Sequence, residues 1–365
     1  MAKYSEIKYL IDIGHPAHVH YFKNFASYVI NKGNSVLFTC RNKEVTKELL
    51  IYYGYNFISF GKSYRSLIGK LFGLFYFTLR IFIVALKYRP DFYLNASIYS
   101  AIVAWISKKP HVALEDTFNR EQVSLYLPFT SCILAGDYPH PSLGEKELLF
   151  KGYSELAYLH PNRFNPDRTI LKELGIAEKE KYVIIRFVSW NASHDIGHKG
   201  INISNKLKAV KEISKYARVF ISAEGKLPVE LERYKLSIPA HQMHNLLAYS
   251  YLLFGESSTM AEEAAILGIP SIYLFNNSTY YTQHLEKEYG ILFNFSESLE
   301  DQEKAINKSI ELLKMPKLKE IWKQKQQKLL NDKIDVTKFF IWFIECWPES
   351  FRIIKENPDF QYQFK

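Results

Sequence analysis

The chain has only three cysteines in 365 residues, Cys40, Cys132 and Cys346. Their positions match no metal-site spacing and no disulfide framework, so we expect a protein of a reducing compartment. No basic segment followed by an apolar one opens the sequence, which argues against secretion. Short internal repeats and low-complexity tracts are also lacking, so we do not expect a repeat architecture or a disordered tail.

What the sequence does contain is ample material for a core, with 47% hydrophobic and 23% charged residues. Its length favours two domains. The net charge is +9 and the pI is about 9.1, a balance that suits nucleotide, nucleic-acid or anionic membrane partners. Aromatic residues make up 16% of the chain, and they serve sugar stacking, membrane-interface anchoring or simple core packing.

Short apolar strands alternate with helices in the first half, which predicts a parallel sheet. The predicted strands are residues 7–13, 35–39, 56–59, 92–95, 111–114 and 131–135. Ligands of parallel sheets gather at the carboxyl ends of the strands. His15, His18, Glu115 and Asp116 each follow such an end, so we expect all four to face one crevice.

The histidines and acids of this crevice have several possible roles. His15, His18 and His20 fit no common metal spacing, and no cysteine or acid adjoins them, so we expect no metal site. A histidine at a strand-to-helix turn suits phosphate contact or general base catalysis, with capping or packing as the alternative. Glu115 and Asp116 are candidates for a catalytic base or, alternatively, for a helix cap.

Residues 67–86 form the most apolar run of the chain. Lys70 and Arg80 interrupt it, which argues against a simple membrane span. Residues 61–90 hold six basic residues and no acidic one, and Arg80 and Lys87 share one helical stripe. This composition favours a helix that lies on anionic lipid. The alternative is a helix buried between the sheet and its neighbours, and one face in each environment satisfies both interpretations.

The second half begins after a polar segment, residues 162–168, that is typical of a linker. A new apolar strand there leads into a polar loop with Trp190, His194 and Lys199. Arg186 and Lys199 are suited to neutralising a diphosphate, and Trp190 to stacking on a base or sugar ring. Accidental polarity of a surface loop is the alternative.

Residues 251–274 predict a buried strand, a turn of small residues, a short helix and a second strand. The hydroxyl residues at the turn are Ser257, Ser258 and Thr259. Backbone N–H groups and the helix dipole converge there with the hydroxyls, which makes the turn suited to phosphate. Glu262 and Glu263 lie about one turn further on, where a carboxylate can accept from two sugar hydroxyls. An ordinary βαβ unit with a Ser/Thr cap is the alternative.

This layout resembles the GT-B fold of nucleotide-sugar glycosyltransferases, which also occurs in the non-hydrolysing UDP-N-acetylglucosamine 2-epimerases. Residues 256–263 (ESSTMAEE) are similar to an epimerase pattern of an acid, Ser, two glycines, two variable residues and Glu-Glu. The two glycines are absent here. The epimerases' Gly-Thr-Arg-Pro-Glu opening is replaced by DIGHPAHVHYFKNF.

The chain resembles more closely a poorly characterised prokaryotic GT-B-like family found among surface-polysaccharide proteins. Members of that family open with a strand ending in Asp and a Pro-x-His-Val-His-x-Phe turn. The matching residues here are Asp12, Pro16, His18, Val19, His20 and Phe22. Residues 151–159, Arg186 with Trp190 and His194, and residues 259–265 extend the similarity. It runs from about residue 7 to 275.

The resemblance implies an α/β chain of GT-B fold, with two Rossmann-like domains whose parallel sheets face an inter-domain cleft. We expect an N-terminal acceptor domain at residues 1–165, with a membrane-proximal apolar and basic helix at about 66–87. A nucleotide-sugar domain is expected at residues 166–330. Helices at residues 331–365 are expected to pack back on the first domain.

The function implied is transfer of a sugar from a nucleotide-diphosphate sugar to a lipid-linked or polysaccharide acceptor in cell-surface glycan biosynthesis. The enzyme would be cytoplasmic and peripheral on the inner face of the cell membrane. The expected donor-binding residues are Gly14, His15, Arg186, Trp190, His194, Ser257, Ser258, Thr259 and Glu263. The expected catalytic residues are His18, Glu115 and Asp116.

No metal and no cofactor is expected, because a helix dipole and cations can stabilise the leaving diphosphate. Three rival functions stay open. The first is a nucleotide-sugar 2-epimerase or hydrolase. The second is a nucleic-acid-binding protein, which the charge suggests although the sequence contains no recognised nucleic-acid module, so nucleic acid is not the expected partner. The third is an inactive GT-B scaffold.

Overall fold

The computed structural model describes residues 6–41, 45–61, 67–188, 200–276 and 278–365. The chain divides into two compact units. The first comprises Met1–Arg163 together with Lys333–Lys365, and the second comprises Phe164–Asp332.

The first unit alternates strands and helices around one parallel sheet. Its elements are β1 (Lys8–Ile13), α1 (Pro16–Asn31), β2 (Ser35–Cys40), α2 (Thr46–Tyr52), β3 (Phe57–Ser59), α3 (Leu67–Tyr88), β4 (Phe92–Leu94), α4 (Ile98–Ile106), β5 (His111–Glu115), α5 (Arg120–Tyr126), β6 (Cys132–Gly136), β7 (Glu147–Phe150) and α6 (Leu156–Leu159). The seven strands lie in the order β3-β2-β1-β4-β5-β6-β7.

The second unit repeats the plan with a sheet of five parallel strands. Its elements are α7 (Thr169–Glu173), β8 (Tyr182–Phe187), α8 (Ile203–Ile213), β9 (Arg218–Ala223), α9 (Met243–Tyr249), β10 (Leu252–Gly255), α10 (Ser258–Ile266), β11 (Ser271–Leu274), α11 (Tyr280–His284), β12 (Leu292–Phe295), α12 (Leu299–Lys314) and α13 (Leu318–Asp332). Short 3₁₀ helices at Val229–Tyr234 and Ala240–Gln242 and a π-helical turn at Leu285–Tyr289 complete it. The strand order is β12-β11-β10-β8-β9.

The chain then returns to the first unit with α14 (Val336–Glu345), α15 (Glu349–Glu356) and a 3₁₀ helix at Pro358–Phe364. Helix α14 packs on α1, where the ring of Phe340 lies 5.5 Å from that of Phe22 and 5.1 Å from that of Phe25. The aromatic residues of α14 need an apolar surface to pack against. The first unit covers this face of the helix.

Both sheets are buried because helices cover their two faces, and parallel strands in that position are continuously apolar. Every residue of β5 (HVALE) and of β6 (CILAG) is buried. The pattern that predicted a parallel sheet is the consequence of this two-sided burial, and the predicted fold class is confirmed.

Each sheet has one point where the order of its strands reverses. In the first unit the chain adds β2 and β3 on one side of β1, then places β4 on the other side and continues to β7. In the second unit the reversal falls between β8 and β10. Crevices outside such reversal points are where open α/β sheets bind ligands. Two candidate sites are therefore defined, one in each unit.

Helix α3 has two unlike faces. Phe77, Ile81 and Ala85 are buried against residues of the sheet and of α4, among them Leu10 and Val103. The opposite face is exposed along most of the helix. Among the described residues α3 is a candidate membrane span by length and composition only, over Leu71–Tyr88 with a mean hydropathy of 1.6.

The fully buried His111 of β5 makes folding dependent on pH. Burial lowers the pKa of this imidazole from 6.5 to about 3. The unfolded chain therefore binds a proton near pH 6.5, whereas the folded protein binds it only near pH 3. The contribution of neutral His111 to stability is complete above pH 6.5 and is lost as the pH falls toward 3, at about 1.4 kcal/mol per pH unit.

This dependence can be measured as the free energy of unfolding between pH 7 and pH 4. The ring of His111 contacts the Ser100 hydroxyl through Nε2 (3.1 Å) and the Thr130 hydroxyl through Nδ1 (2.9 Å). The variant His111→Gln keeps a polar side chain there but has no titrating ring. We expect it to be less stable than the wild type at pH 7 and to lose stability less steeply toward acid. Equal slopes in the two proteins would contradict the assignment.

Candidate active site

The candidate site of the first unit lies at the junction of β1 and β4. Gly14 follows β1 and Asn95 follows β4, and His18 lies in the first turn of α1. The Asn95 Nδ2 donates to the carbonyl of Asp12 at 2.7 Å and lies 2.7 Å from Nδ1 of His18. The backbone N–H of Gly14 points to the same Nδ1 at 3.4 Å.

These contacts fix the tautomer of His18. A carbonyl oxygen only accepts, so the atom of Asn95 beside Asp12 must be the amide nitrogen, and its second hydrogen points to His18. Nδ1 of His18 is then an acceptor and carries no proton. The neutral ring therefore carries its proton on Nε2 and acts toward a ligand as a hydrogen-bond donor. This geometry favours phosphate or oxyanion contact for His18 over the predicted role as a general base.

Removing the side-chain amide of Asn95 should allow the His18 ring to adopt both neutral tautomers. Asn95 has a φ of +91°, which glycine accepts without strain, so Asn95→Gly deletes the donor and spares the backbone. We expect the imidazole ¹⁵N shifts of His18 to change from a single Nε2–H form to a mixture of tautomers. Asn24→Ala is the matched control, because that amide donates to the carbonyl of Ala157. An unchanged ¹⁵N pattern in Asn95→Gly would refute the positioning role.

The buried ion pair of Asp12 and Arg41 stabilises the junction of β1 and β4. The Asp12 carboxylate accepts from the hydroxyl of Thr39 at 2.8 Å and from Nη1 of Arg41 at 2.9 Å. Ser97, which follows β4, also donates to it. Arg41 Nη2 donates to the carbonyl of Ile13 at 3.1 Å. Asp12 and Arg41 thus connect β1, β2 and the segment after β4 close to His18.

The three histidines at the start of α1 make different contacts. His15 is the N-cap residue of α1, and its Nδ1 accepts from the N–H of Ala17 at 3.3 Å. His20 is buried and stacks on Tyr158, with 5.2 Å between ring centroids. Within the described ranges no group of three or more His, Cys, Asp or Glu is placed to hold a metal.

Glu115 behaves as a cap. One oxygen accepts from the backbone N–H groups of Thr117 (2.9 Å) and Phe118 (2.8 Å), and the other accepts from the hydroxyl of Tyr126. Its side chain is buried, and burial together with the neighbouring Asp116 raises its pKa. These contacts favour the cap interpretation of Glu115 over the catalytic one.

Asp116 is better placed than Glu115 for the role of a catalytic base. It is partly exposed and accepts from the Tyr21 hydroxyl at 2.8 Å. The same hydroxyl lies 3.1 Å from the buried Glu155, and the Tyr21 ring stacks on that of His18 at 5.7 Å. Burial raises the pKa of Asp116, and the Tyr21 hydrogen bond offsets part of that rise. His18, Tyr21, Asp116 and Glu155 therefore form one cluster at the carboxyl edge of the first sheet.

Sequence analysis did not single out Tyr21, Asn95 or Glu155. Tyr21 lies three residues after His18 on α1 and hence on the same face, a spacing that points to it. Asn95 is the last residue of the predicted strand 92–95, so the rule that ligands gather at the carboxyl ends of strands also points to it. Glu155 lies within residues 151–159, which carry part of the family resemblance, but no role in the site was assigned to it.

The candidate site of the second unit lies between β8 and β10. Gly255 ends β10, and a Cβ atom there would come within 2.2 Å of the carbonyl oxygen of Arg186 on β8, so only glycine allows the two strands to approach this closely. Ser257 is the N-cap of α10 and accepts from the N–H of Met260 at 3.3 Å. Ser258 and Thr259 form the first turn of α10, as predicted from the sequence. The turn thus has the geometry that presents backbone N–H groups to an anion.

Glu256 holds the backbone around this turn. Its buried carboxylate accepts from the N–H of Val188 at 3.0 Å and from the N–H of Ile201 at 2.6 Å, and Lys206 lies 3.6 Å away. The acid that opens the motif is therefore a structural anchor that joins the end of β8 to the start of the α8 segment. Glu256 was identified in the sequence as the first residue of the motif. Only the structure shows that it anchors the surrounding backbone.

Two predicted donor ligands already have partners within the second unit. Arg186 donates to the Ser222 hydroxyl at 2.8 Å and forms an ion pair with Glu224. The carboxylate of Glu263 is buried, with Oε1 at 2.8 Å from Nε2 of His244. A bound diphosphate or ribose would have to share these side chains with the partners seen here. Trp190, His194 and Lys199 lie outside the described residues.

Two parallel sheets of seven and five strands, each with a polar reversal point, define the GT-B class. The structure is similar to UDP-GlcNAc 2-epimerase from Neisseria meningitidis bound to UDP-GlcNAc, with a TM-score of 0.65, 14% identity, and 93% of this chain and 100% of that chain covered. It is also similar to the glycosyltransferase VinC in complex with dTDP, with a TM-score of 0.60, 14% identity, and 96% and 100% covered.

Residues 7–337 match the family described as "Protein of unknown function (DUF354)", and the chain belongs to that family. An uncharacterized protein of Methanocaldococcus jannaschii, MJ0665, is 27% identical over 276 residues, which cover 72% of this chain and 80% of that protein. The resemblance to an uncharacterised family with a GT-B fold, inferred from the sequence, is confirmed.

Proposed function

We propose that this protein is a glycosyltransferase that moves a sugar from a nucleotide-diphosphate sugar to a hydroxyl of a lipid-linked or polysaccharide acceptor. The work would take place on the inner face of the cell membrane during synthesis of a cell-surface glycan. The observation that carries the proposal is the turn from Gly255 through Ser257 into α10, at the strand reversal of a GT-B unit. Similar folds bind UDP-GlcNAc in the Neisseria protein and dTDP in VinC, as those structures are described.

The second unit would hold the donor. Its diphosphate would meet the N–H groups and hydroxyls of Ser257, Ser258 and Thr259, where the helix dipole favours negative charge. The bond between the anomeric carbon and the phosphate oxygen breaks during transfer, and charge develops on the leaving diphosphate. Donors that are already oriented toward that charge lower the barrier without a metal ion.

The first unit would serve the acceptor. Asp116 would take the proton of the acceptor hydroxyl as its oxygen attacks the anomeric carbon, and Tyr21 would orient the carboxylate. His18 would donate from Nε2 to an oxygen of the donor or acceptor, because its Nδ1 is occupied. This assignment moves the base from the predicted set of His18, Glu115 and Asp116 to Asp116 alone.

A thermal-shift screen with UDP, GDP, dTDP, CDP and their sugars tests donor binding, since a ligand that binds only the folded state raises its apparent stability. We expect at least one nucleoside diphosphate to stabilise the protein, and its sugar conjugate to stay intact until a polyprenyl-diphosphate-linked sugar is added. No stabilisation by any member would overturn the proposal.

A 2-epimerase is the second candidate, favoured by the similarity to the Neisseria enzyme at a TM-score of 0.65. Product analysis of the bound nucleotide sugar without any acceptor separates the two functions. An epimerase converts the sugar under these conditions, a hydrolase releases it, and a transferase leaves it unchanged.

The ribose role of Glu263 gives a sharper test of the donor site. Glu263→Ala should weaken nucleoside-diphosphate affinity by about 1–3 kcal/mol, because hydrogen bonds to a charged acceptor are lost. His244→Gln is the matched variant, since it alters the partner of the carboxylate and leaves the carboxylate itself. Calorimetry should show the larger loss for Glu263→Ala. Wild-type affinity in a folded Glu263→Ala protein would rule out the ribose role.

A further inference from the structure

The outer face of α3 is a continuous apolar surface. We define this outer face by Leu71, Phe72, Phe75, Leu79, Ile83 and Leu86. From Phe72 onward they recur every three or four residues, and Leu71 lies four residues before Phe75, so all six share one side of the helix. Their exposed fractions run from 42% for Ile83 to 76% for Phe75. Six large side chains exposed to this extent add up to roughly 600 Å², the upper end of what a soluble monomer presents.

Cations border this face. Arg80 and Lys87 are exposed and lie on one edge of the stripe, about a quarter turn from its centre. The helix contains no acidic residue. An apolar stripe with a basic edge has the chemistry that complements an anionic lipid surface.

The packing of α3 fits a helix that lies along the surface of a bilayer and does not cross it. The opposite side of α3 carries Phe77, Ile81 and Ala85 into the core of the first unit. A spanning helix would be removed from the sheet, and Leu10 and Val103 would lose their cover. The side chains of the outer face are exposed at the same time, so they are available to lipid while the domain stays folded.

The same helix begins at the edge of the sheet where the candidate site lies. Arg41 directly follows β2, and its guanidinium carbon is 5.9 Å from the Phe77 ring and 5.0 Å from the Tyr99 ring. Phe77 therefore marks the level of the carboxyl edge. Leu71 and Phe75 precede Phe77 and, at about 1.5 Å per residue, lie up to roughly 9 Å further out.

We propose that the outer face of α3 docks this protein on an anionic bilayer and brings the carboxyl edge of the first sheet, with His18 and Asp116, to a lipid-linked acceptor. The docking stands on the described surface alone. The choice of a lipid-linked over a polysaccharide acceptor rests on the proposed glycosyltransferase function.

Co-sedimentation with vesicles tests the docking. We expect the protein to bind phosphatidylcholine vesicles that contain roughly a third phosphatidylglycerol, and to bind them less tightly as salt is raised. Arg80→Glu with Lys87→Glu should lower the partition coefficient at least about 25-fold, because each cation near such a surface contributes about fivefold. Phe75→Ser with Leu79→Ser should lower binding both to these vesicles and to vesicles of phosphatidylcholine alone.

Matched variants separate these effects from changes in total charge or apolar content. Lys338→Glu with Lys355→Glu changes the net charge equally, on exposed positions of α14 and α15. Val229→Ser with Leu299→Ser removes exposed apolar side chains from the second unit. Both controls should bind vesicles like the wild type.

Three results would overturn the inference: a wild-type protein that stays in the supernatant, controls that lose binding equally, or a dimer that Phe75→Ser with Leu79→Ser converts to a monomer. Nucleoside-diphosphate binding is measured on every variant. A wild-type protein that binds a nucleoside diphosphate but no vesicles would contradict the docking and leave the proposed enzyme function standing. A wild-type protein that binds vesicles but no nucleoside diphosphate would contradict the enzyme function and leave the docking standing.

Discussion

Replacing Asp116 with asparagine should slow sugar transfer by roughly 10²–10⁴-fold, the usual contribution of a positioned general base. The amide fills the same space and accepts from Tyr21, but it cannot take the acceptor proton. Nucleoside-diphosphate binding should survive, because the proposed donor residues belong to the second unit. Initial rates and calorimetric affinities on the same preparation check both statements.

The pH profile gives an independent measure of the same group. A base must be ionised to work, and burial raises the pKa of Asp116 above its ordinary 3.8. The acidic limb of kcat/KM should therefore fall at a higher pH than that of an ordinary aspartate. Tyr21→Phe removes a hydrogen bond that favours the ionised form, so it should move this limb to still higher pH.

Glu115→Gln is the control for Asp116→Asn. It weakens a cap that accepts from Thr117, Phe118 and Tyr126, so it should lower the free energy of unfolding by about 1–3 kcal/mol and leave the rate nearly unchanged. If Glu115→Gln loses transfer while Asp116→Asn retains it, the base has been assigned to the wrong neighbour.

Arg41→Met should destabilise the first unit by about 3–5 kcal/mol, because it leaves the Asp12 carboxylate buried without its cation. Asp12 has no exposed surface and Arg41 is 8% exposed, so water cannot replace the lost partner. Asp12→Asn combined with Arg41→Met removes both charges and should recover part of the loss. Hydrogen exchange of the β1 and β2 amides reports on this unit separately from the second.

The exposed pair Lys109–Asp91 provides the comparison. Its two charged groups are 2.9 Å apart, about as close as those of Arg41 and Asp12, but the side chains are 43% and 38% exposed. Lys109→Met should therefore change stability by less than about 1 kcal/mol. Equal effects from Arg41→Met and Lys109→Met would show that the Asp12 pair contributes no more than a surface pair.

Local patterns in the sequence predicted much of the architecture. The alternation of apolar strands and helices, the Ser257 cap and the polar residues at strand ends all arise from rules that act over a few residues. The short β7 and β12 and the apolar helix α4 were not predicted, because brief apolar runs have no distinct period. The buried face of α3 is one that its apolar composition anticipated, while the lipid contact expected for its exposed face stays a prediction.

The sequence by itself determined which residue types stand at the carboxyl ends of the strands and that two parallel sheets would carry them. Only the tertiary structure decided which of them meet. Asn95 reaches His18 across 77 residues because β4 pairs with β1, and Tyr21 reaches Glu155 across 134 residues because α6 packs on α1. Strand order and helix packing set these contacts, and through them they fix the His18 tautomer, make Glu115 a cap and leave Asp116 as the proposed base. Periodicity along the chain carries no information about such long-range pairings, because it records only which face of an element is buried.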